Sequence, residues 1–95
     1  MAAYLVVNCS ITDQALLDEY VASAGGTLGV VPVKLLAMDN QSETVEGEPA
    51  GRRTVILEFE DKEGFRSWYD SPEYQAIIGK RHASTDGFAV LVESF

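Results

Sequence analysis

The chain is poor in the residues that carry most recognisable chemistry. Its 95 residues include one cysteine, one histidine and one tryptophan. A lone Cys9 excludes an internal disulfide and suits a reducing compartment, so a cytoplasmic location is expected. A metal site needs several converging ligands, which His82 and Cys9 do not supply; neither a metal nor a cofactor is expected. Basic residues are also scarce, 7 against 15 acidic ones, for a net charge of −8. Binding to nucleic acid or to an anionic membrane needs clustered Lys and Arg, so neither is an expected partner. No apolar run approaches the roughly 20 residues of a membrane span. The apolar start, Met1 to Ile11, lacks a basic leader region and reads as a first strand rather than a signal peptide. Gly25-Gly26-Thr27-Leu28-Gly29 lacks the lysine and the preceding strand of a phosphate-binding loop.

What remains is an ordinary globular composition, 46% hydrophobic, long enough for one domain spanning residues 1–95. A chain this short buries only about 60–65% of its unfolded surface, so a partner subunit is often needed to cover a sheet.

Periodicity sets out the elements. Ala3 to Ile11 alternates, with Leu5, Val7, Cys9 and Ile11 on one side and Tyr4, Val6, Asn8 and Ser10 on the other, which predicts a strand. Thr12 or Asp13 caps a helix whose apolar stripe is Leu16, Leu17, Tyr20, Val21 and Ala24. Gly25-Gly26 weakens that helix, and continuation to about Gly29 is expected. Val33 to Met38 is a second strand. The polar stretch from Asp39 to Arg52 reads as a long hairpin connection with a short extra strand pair near Glu43–Glu46. Arg53 to Glu60 is a third strand, with Val55, Leu57 and Phe59 against Thr54, Ile56 and Glu58. Asp61 caps a second helix, broken at Ser71-Pro72-Glu73 by a serine cap followed by a first-turn proline. Phe65, Trp68 and Tyr69 form one stripe before the break; Tyr74, Ile77, Ile78 and Arg81 form another after it. Gly87 to Ser94 is a fourth strand.

The order βαββαβ predicts an α+β, ferredoxin-like fold: an antiparallel sheet with both helices on one face. Strands one and three are expected at the centre. The face away from the helices is too apolar to sit in water, so a homodimer through the open sheet face is expected.

Several runs resemble one family. They are Val45-Glu46-Gly47 in the hairpin, Val55-Ile56-Leu57-Glu58-Phe59 in strand three, Trp68-Tyr69-Asp70-Ser71-Pro72-Glu73-Tyr74-Gln75, and the closing Val90-Leu91-Val92-Glu93. They resemble domain of unknown function 1330, within the dimeric α/β-barrel superfamily, over nearly the whole chain. Arg81 falls where that family usually has an arginine. The family's Gly-Gly before its second strand is missing here; the text reads Val30-Val31-Pro32-Val33. The resemblance implies a homodimer with a pocket between helix, sheet and partner. It brings no particular reaction, because the superfamily holds cofactor-free monooxygenases, isomerase-like enzymes, haem proteins and binding proteins.

The residues themselves leave two functional readings open. In the first, a small organic molecule binds in the cavity and undergoes cofactor-free isomerase- or oxygenase-type chemistry. His82 would then be acid/base, Arg81 would anchor an anion, and Glu58 would serve as a second catalytic group. Asn8, Tyr4, Trp68 and Tyr74 would contact the ligand. In the second, the pocket is filled by side chains and the protein is a non-catalytic binding or structural module. Arg81 would then pair with an acid, His82 would be a surface residue, and the aromatic stripe would be core.

Overall fold

The computed structural model describes residues 1–95, all but the side chain of Val30. Four strands, β1 (Ala3–Ile11), β2 (Val33–Asp39), β3 (Arg53–Phe59) and β4 (Thr85–Glu93), form one sheet in the order β2-β3-β1-β4. All neighbouring pairs are antiparallel. The two central strands are β3 and β1, as expected from the order of the elements.

Register decides which side chains can meet. Leu5 lies opposite Leu57 and Leu91, Val7 opposite Val55 and Ala89, and Cys9 opposite Arg53 and Gly87. Side chains alternate with period two, so these residues share one face. Tyr4 pairs with Glu58 and Val92, Val6 with Ile56 and Val90, and Asn8 with Thr54 and Phe88 on the other.

The helices cover the first face. Helix α1 (Gln14–Thr27) starts where the Asp13 side chain accepts the Leu16 N–H at 3.0 Å. It runs through Gly25-Gly26 and ends in a 3₁₀ turn, Leu28–Val30. A tertiary bond supports this end: the Trp68 indole donates to the Thr27 hydroxyl at 2.9 Å.

The second helical region is three pieces. Helix α2 (Lys62–Tyr69) begins at Asp61, whose carboxylate accepts the Gly64 N–H at 2.7 Å. Helix α3 (Pro72–Gln75) begins at Ser71, whose hydroxyl accepts the Tyr74 N–H at 3.2 Å. The expected Ser71-Pro72 break is there, but a second break follows before α4 (Ile78–Ser84). The residues there support a helix poorly: two β-branched isoleucines stand before Gly79, and Ile77 provides no side-chain cap.

Two further expectations need correction. The fourth strand starts at Thr85, directly after α4, rather than at Gly87. The hairpin forms no strand at Glu43–Glu46; instead the Ser42 N–H bonds the Arg52 carbonyl at 2.9 Å and the residues between them run as an irregular loop. Three glutamates at 43, 46 and 48, and Gly47 at a φ of +81°, disfavour extended pairing there.

The core is aromatic. Phe59 and Phe65 meet edge to face at 5.4 Å, and Trp68 and Tyr74 are 4.1 Å apart between ring centres. With Leu5 they form a single buried cluster between helices and sheet. The other face of the sheet carries Phe88, Val90 and Val92 at about half exposure, 51%, 49% and 47%.

Candidate functional site

The short helices of the second half turn the chain twice, and the second turn brings the end of α4 against the sheet. Arg81 in its last turn thereby reaches β1 near Cys9 and β4 at Thr85. The Arg81 carbonyl is tied down by the hydroxyls of Ser84 and Thr85, at 3.2 and 2.8 Å. Beneath Arg81 lies a cavity of about 80 Å³ between helices and sheet. Leu17, Val55, Leu57 and Trp68 make its apolar walls, and Tyr20, Tyr74, Arg53 and Arg81 bring the polar groups. A groove of about 280 Å³ opens on the other side of Arg81, sharing Val7, Cys9, Arg81 and Thr85 with the cavity and adding Tyr69 and His82.

The polar groups are arranged unevenly. The Tyr20 and Tyr74 hydroxyls are 2.7 Å apart, so one donates to the other. The Arg81 Nε is buried and has no hydrogen-bond partner. A buried unsatisfied charged donor costs on the order of 1–3 kcal/mol or more, which makes it the least settled atom near the core. Arg53 is better satisfied: its guanidinium donates to the Asn40 side-chain oxygen at 2.7 Å and approaches the Met38 sulfur at 3.5 Å.

Charge singles out the same place. The molecule carries −8, yet the two ion pairs among the described residues are Lys34–Glu58 at 3.9 Å and Lys80–Glu19 at 3.8 Å. Neither involves Arg53 or Arg81. Both guanidinium charges act on Cys9 and Tyr20 and favour their ionised forms, but burial is the larger effect and pushes both groups up. Burial also raises Tyr74, offset in part by the Tyr20 hydroxyl and the neighbouring Arg81 charge. All three acids therefore stay neutral well above physiological pH, in a positive, largely apolar recess.

The expected site residues divide into two groups. Arg81, Trp68 and Tyr74 meet at the cavity, and His82 stands exposed at the mouth of the groove, with its Nε2 3.4 Å from Arg81 Nη2. Trp68 and Tyr74 are also core, 2% and 1% exposed. Glu58, Asn8 and Tyr4 lie on the opposite face of the sheet and share no cavity with Arg81. Within one chain, the seven expected residues thus fall on two sides of the sheet. Glu58 pairs with Lys34. Asn8 fastens the hairpin, accepting the Ala50 and Gly51 N–H groups at 2.8 and 3.2 Å and donating to the Gly51 carbonyl at 3.0 Å.

Two polar residues of the cavity, Tyr20 and Arg53, were not among the expected ones. Arg53 was legible: it continues the alternation Val55, Leu57, Phe59 by one step. A larger depression of about 420 Å³ lies at the far end of the sheet, around Pro32–Lys34 and Glu58–Glu60. It is open, and its one cation, Lys34, is already paired, so it has less to hold a ligand with.

A search of curated proteins finds no match. Among solved structures, a protein of unknown function from Rhodopseudomonas palustris superposes with a TM-score of 0.82 at 11% identity, over 99% of this chain and 82% of that one. A dimeric ferredoxin-like protein of unknown function from a Jannaschia species gives 0.75 at 18% identity, over 99% and 100%. SnoaB, a cofactor-independent oxygenase from Streptomyces nogalater, gives 0.66 at 13% identity, over 99% and 93%. At these identities the likeness is one of fold. The sequence model of the family described as Domain of unknown function (DUF1330) matches residues 2–95, and the chain belongs to that family.

Proposed function

We propose that the protein binds a small organic anion in the cavity between α1, α3, α4 and the sheet, and that it does so as a homodimer. The observation that carries the first part is the Arg81 Nε, buried at the edge of an apolar-walled cavity without a partner. A guanidinium N–H buried without a partner beside an apolar recess is an expensive arrangement unless something negative completes it. Arg81 anchors the ligand in this reading. Trp68 and Tyr74 bound it, and His82 at the groove mouth is placed to exchange a proton with a ligand extending outward.

The homodimer rests on the half-exposed row Phe88, Val90 and Val92, and on the description of fold neighbours as dimeric. Tyr4 and Glu58 belong to that face, and with it to the proposed interface. The likeness to a cofactor-independent oxygenase supports chemistry driven by the protein's own groups, because enolisation or oxygenation of an activated anion needs a cation beside it and few other parts.

A thermal-shift screen of small organic acids tests this. A ligand held at about 100 times its Kd should add roughly 2.7 kcal/mol of stability. Arg81→Ala should remove that gain while the protein stays folded. A panel that shifts neither protein, or both equally, would count against the site.

A further inference from the structure

Three hollows adjoin one another, and an arginine stands at each junction. The cavity of about 80 Å³ shares Arg81, Cys9 and Thr85 with the 280 Å³ groove that leads to His82. It shares Arg53 and Leu17 with a depression of about 330 Å³ between α1 and β2. The groove and the depression have no residue in common. Resting on the reading above, we propose that the ligand is an organic dianion, two acidic groups joined by a short apolar linker. Arg81 holds one group and Arg53 the other.

Charge is the reason for two. None of the residues lining the cavity is acidic. Both guanidinium charges reach into it, since each favours ionisation of the Cys9 thiol and the Tyr20 hydroxyl there. Neither arginine forms an ion pair among the described residues; the two pairs use Lys34 and Lys80. Arg53 donates to Asn40 Oδ1 and approaches Met38 Sδ, neutral acceptors that leave its charge whole. Asp18, the one acid lining the outer depression, accepts the Gln14 side-chain amide at 2.9 Å and makes no ion pair with Arg53. A monoanion at Arg81 would leave the second cation unanswered, and a second negative group on the same ligand answers it.

The shape agrees. Ligand pockets commonly enclose roughly 300–1,000 Å³. A cavity of about 80 Å³ is well below that, so a ligand using it extends into a neighbouring hollow. Extension past Arg53 brings the second group beside Asn40 and Met38. The stretch between the arginines is walled by Leu17, Val55 and Leu57, which suits a hydrocarbon linker and gives a polar one no partner.

Titration calorimetry with the α,ω-dicarboxylates from malonate to suberate, each beside the monocarboxylate of equal carbon number, tests this. The series spans the gap between the arginines without presuming its length. Near neutral pH every carboxyl group in it is ionised. At one chain length the diacid should bind at least about tenfold more tightly than its monoacid. A net charge of −8 repels a dianion more than a monoanion, so background attraction to the protein does not mimic that preference. Arg53→Gln keeps a polar end without the charge and should bring the ratio of the two affinities close to one. Arg81→Gln should weaken both acids. Monoacids that bind while no diacid surpasses its counterpart overturn the proposal and leave the Arg81 site standing, and the wild-type protein alone reads this. A diacid preference that Arg53→Gln leaves intact overturns it as well. Failure of the whole series to bind would strike at the small-anion reading beneath it.

Discussion

The indole N–H of Trp68 donates to the Thr27 hydroxyl across 2.9 Å, and Thr27 donates in turn to the Ala24 carbonyl at 2.8 Å. This chain joins α2 to the weak, glycine-containing end of α1. Thr27→Val keeps the shape and removes the acceptor, leaving a buried indole N–H without a partner. The expected cost is about 1–3 kcal/mol in urea denaturation. Thr27→Ser, which keeps the hydroxyl, should lose under half of that.

The glycines separate into two classes that should respond in opposite directions. A methyl group on Gly25 or Gly26 would meet nothing within 4 Å. Each lies inside a helix, so Gly25→Ala and Gly26→Ala should each stabilise by up to about 1 kcal/mol. At Gly87 a methyl group would run into the Asn8 carbonyl oxygen and into Cα and Cβ of Cys9. Those atoms belong to the central strand and cannot swing aside. Gly87→Ala should therefore destabilise by about 1–3 kcal/mol or more in the same assay.

Asn8 is expected to matter for stability and not for ligand binding. Its side chain replaces backbone partners for Ala50 and Gly51 at the hairpin base and also donates to Thr54 Oγ1 at 3.1 Å. Asn8→Ala should cost about 1–3 kcal/mol and speed hydrogen exchange at the Ala50 and Gly51 amides. Thermal shifts from any ligand at Arg81 should survive. Loss of those shifts at unchanged stability would place Asn8 in the site after all.

Much of this division was readable from alternation alone. Period two puts Glu58 opposite in sense to Leu57 and Phe59, so a strand whose apolar side faces the helices must turn Glu58 away from Arg81. The same period carries Arg53 to the helix side. The strands, the Asp13, Asp61 and Ser71 caps and the order of the sheet follow from patterns a few residues long. Tyr20 was hidden for a different reason: it occupies a helix-stripe position where leucine would serve equally well, and only the approach of α3 gives its hydroxyl a partner. The break at Ile77 was harder to see because its signals, two β-branched isoleucines before Gly79, are weak and no side-chain cap announces it.

High pH should unfold the protein through its buried acids. Tyr20, Tyr74 and Cys9 are all held above their ordinary values, chiefly by burial. Folded, they keep protons that the unfolded chain releases, so the unfolded state binds fewer. Stability is then fully present below the ordinary Cys and Tyr range and falls as pH rises through and above it. Each group contributes up to about 1.4 kcal/mol per pH unit in that window. Urea midpoints from pH 8 upward check the slope. Tyr20→Phe should flatten it, and a slope unaffected by that change would mean the pair ionises readily while folded.

The open sheet face gives the last test. Phe88, Val90 and Val92 stand at about half exposure along β4, beside Val6 and Ile56 on the central strands. Burial of such a face recovers about 25 cal/mol per Å², and an isologous pair covers both copies at once. A stable dimer buries roughly 800 Å² on each side, an area a four-stranded sheet can supply. Val90→Lys places a charge in the middle of the row. Because Val90 is already half in water, the protomer should still fold, whereas the dimer should lose the most central part of its contact. Sedimentation should read a dimer for the wild type and a monomer for the variant. The melting temperature should rise with protein concentration only for the wild type. A wild-type chain that sediments as a monomer at every concentration, with a melting temperature independent of it, would leave the face exposed in solution and remove the homodimer from the proposed function.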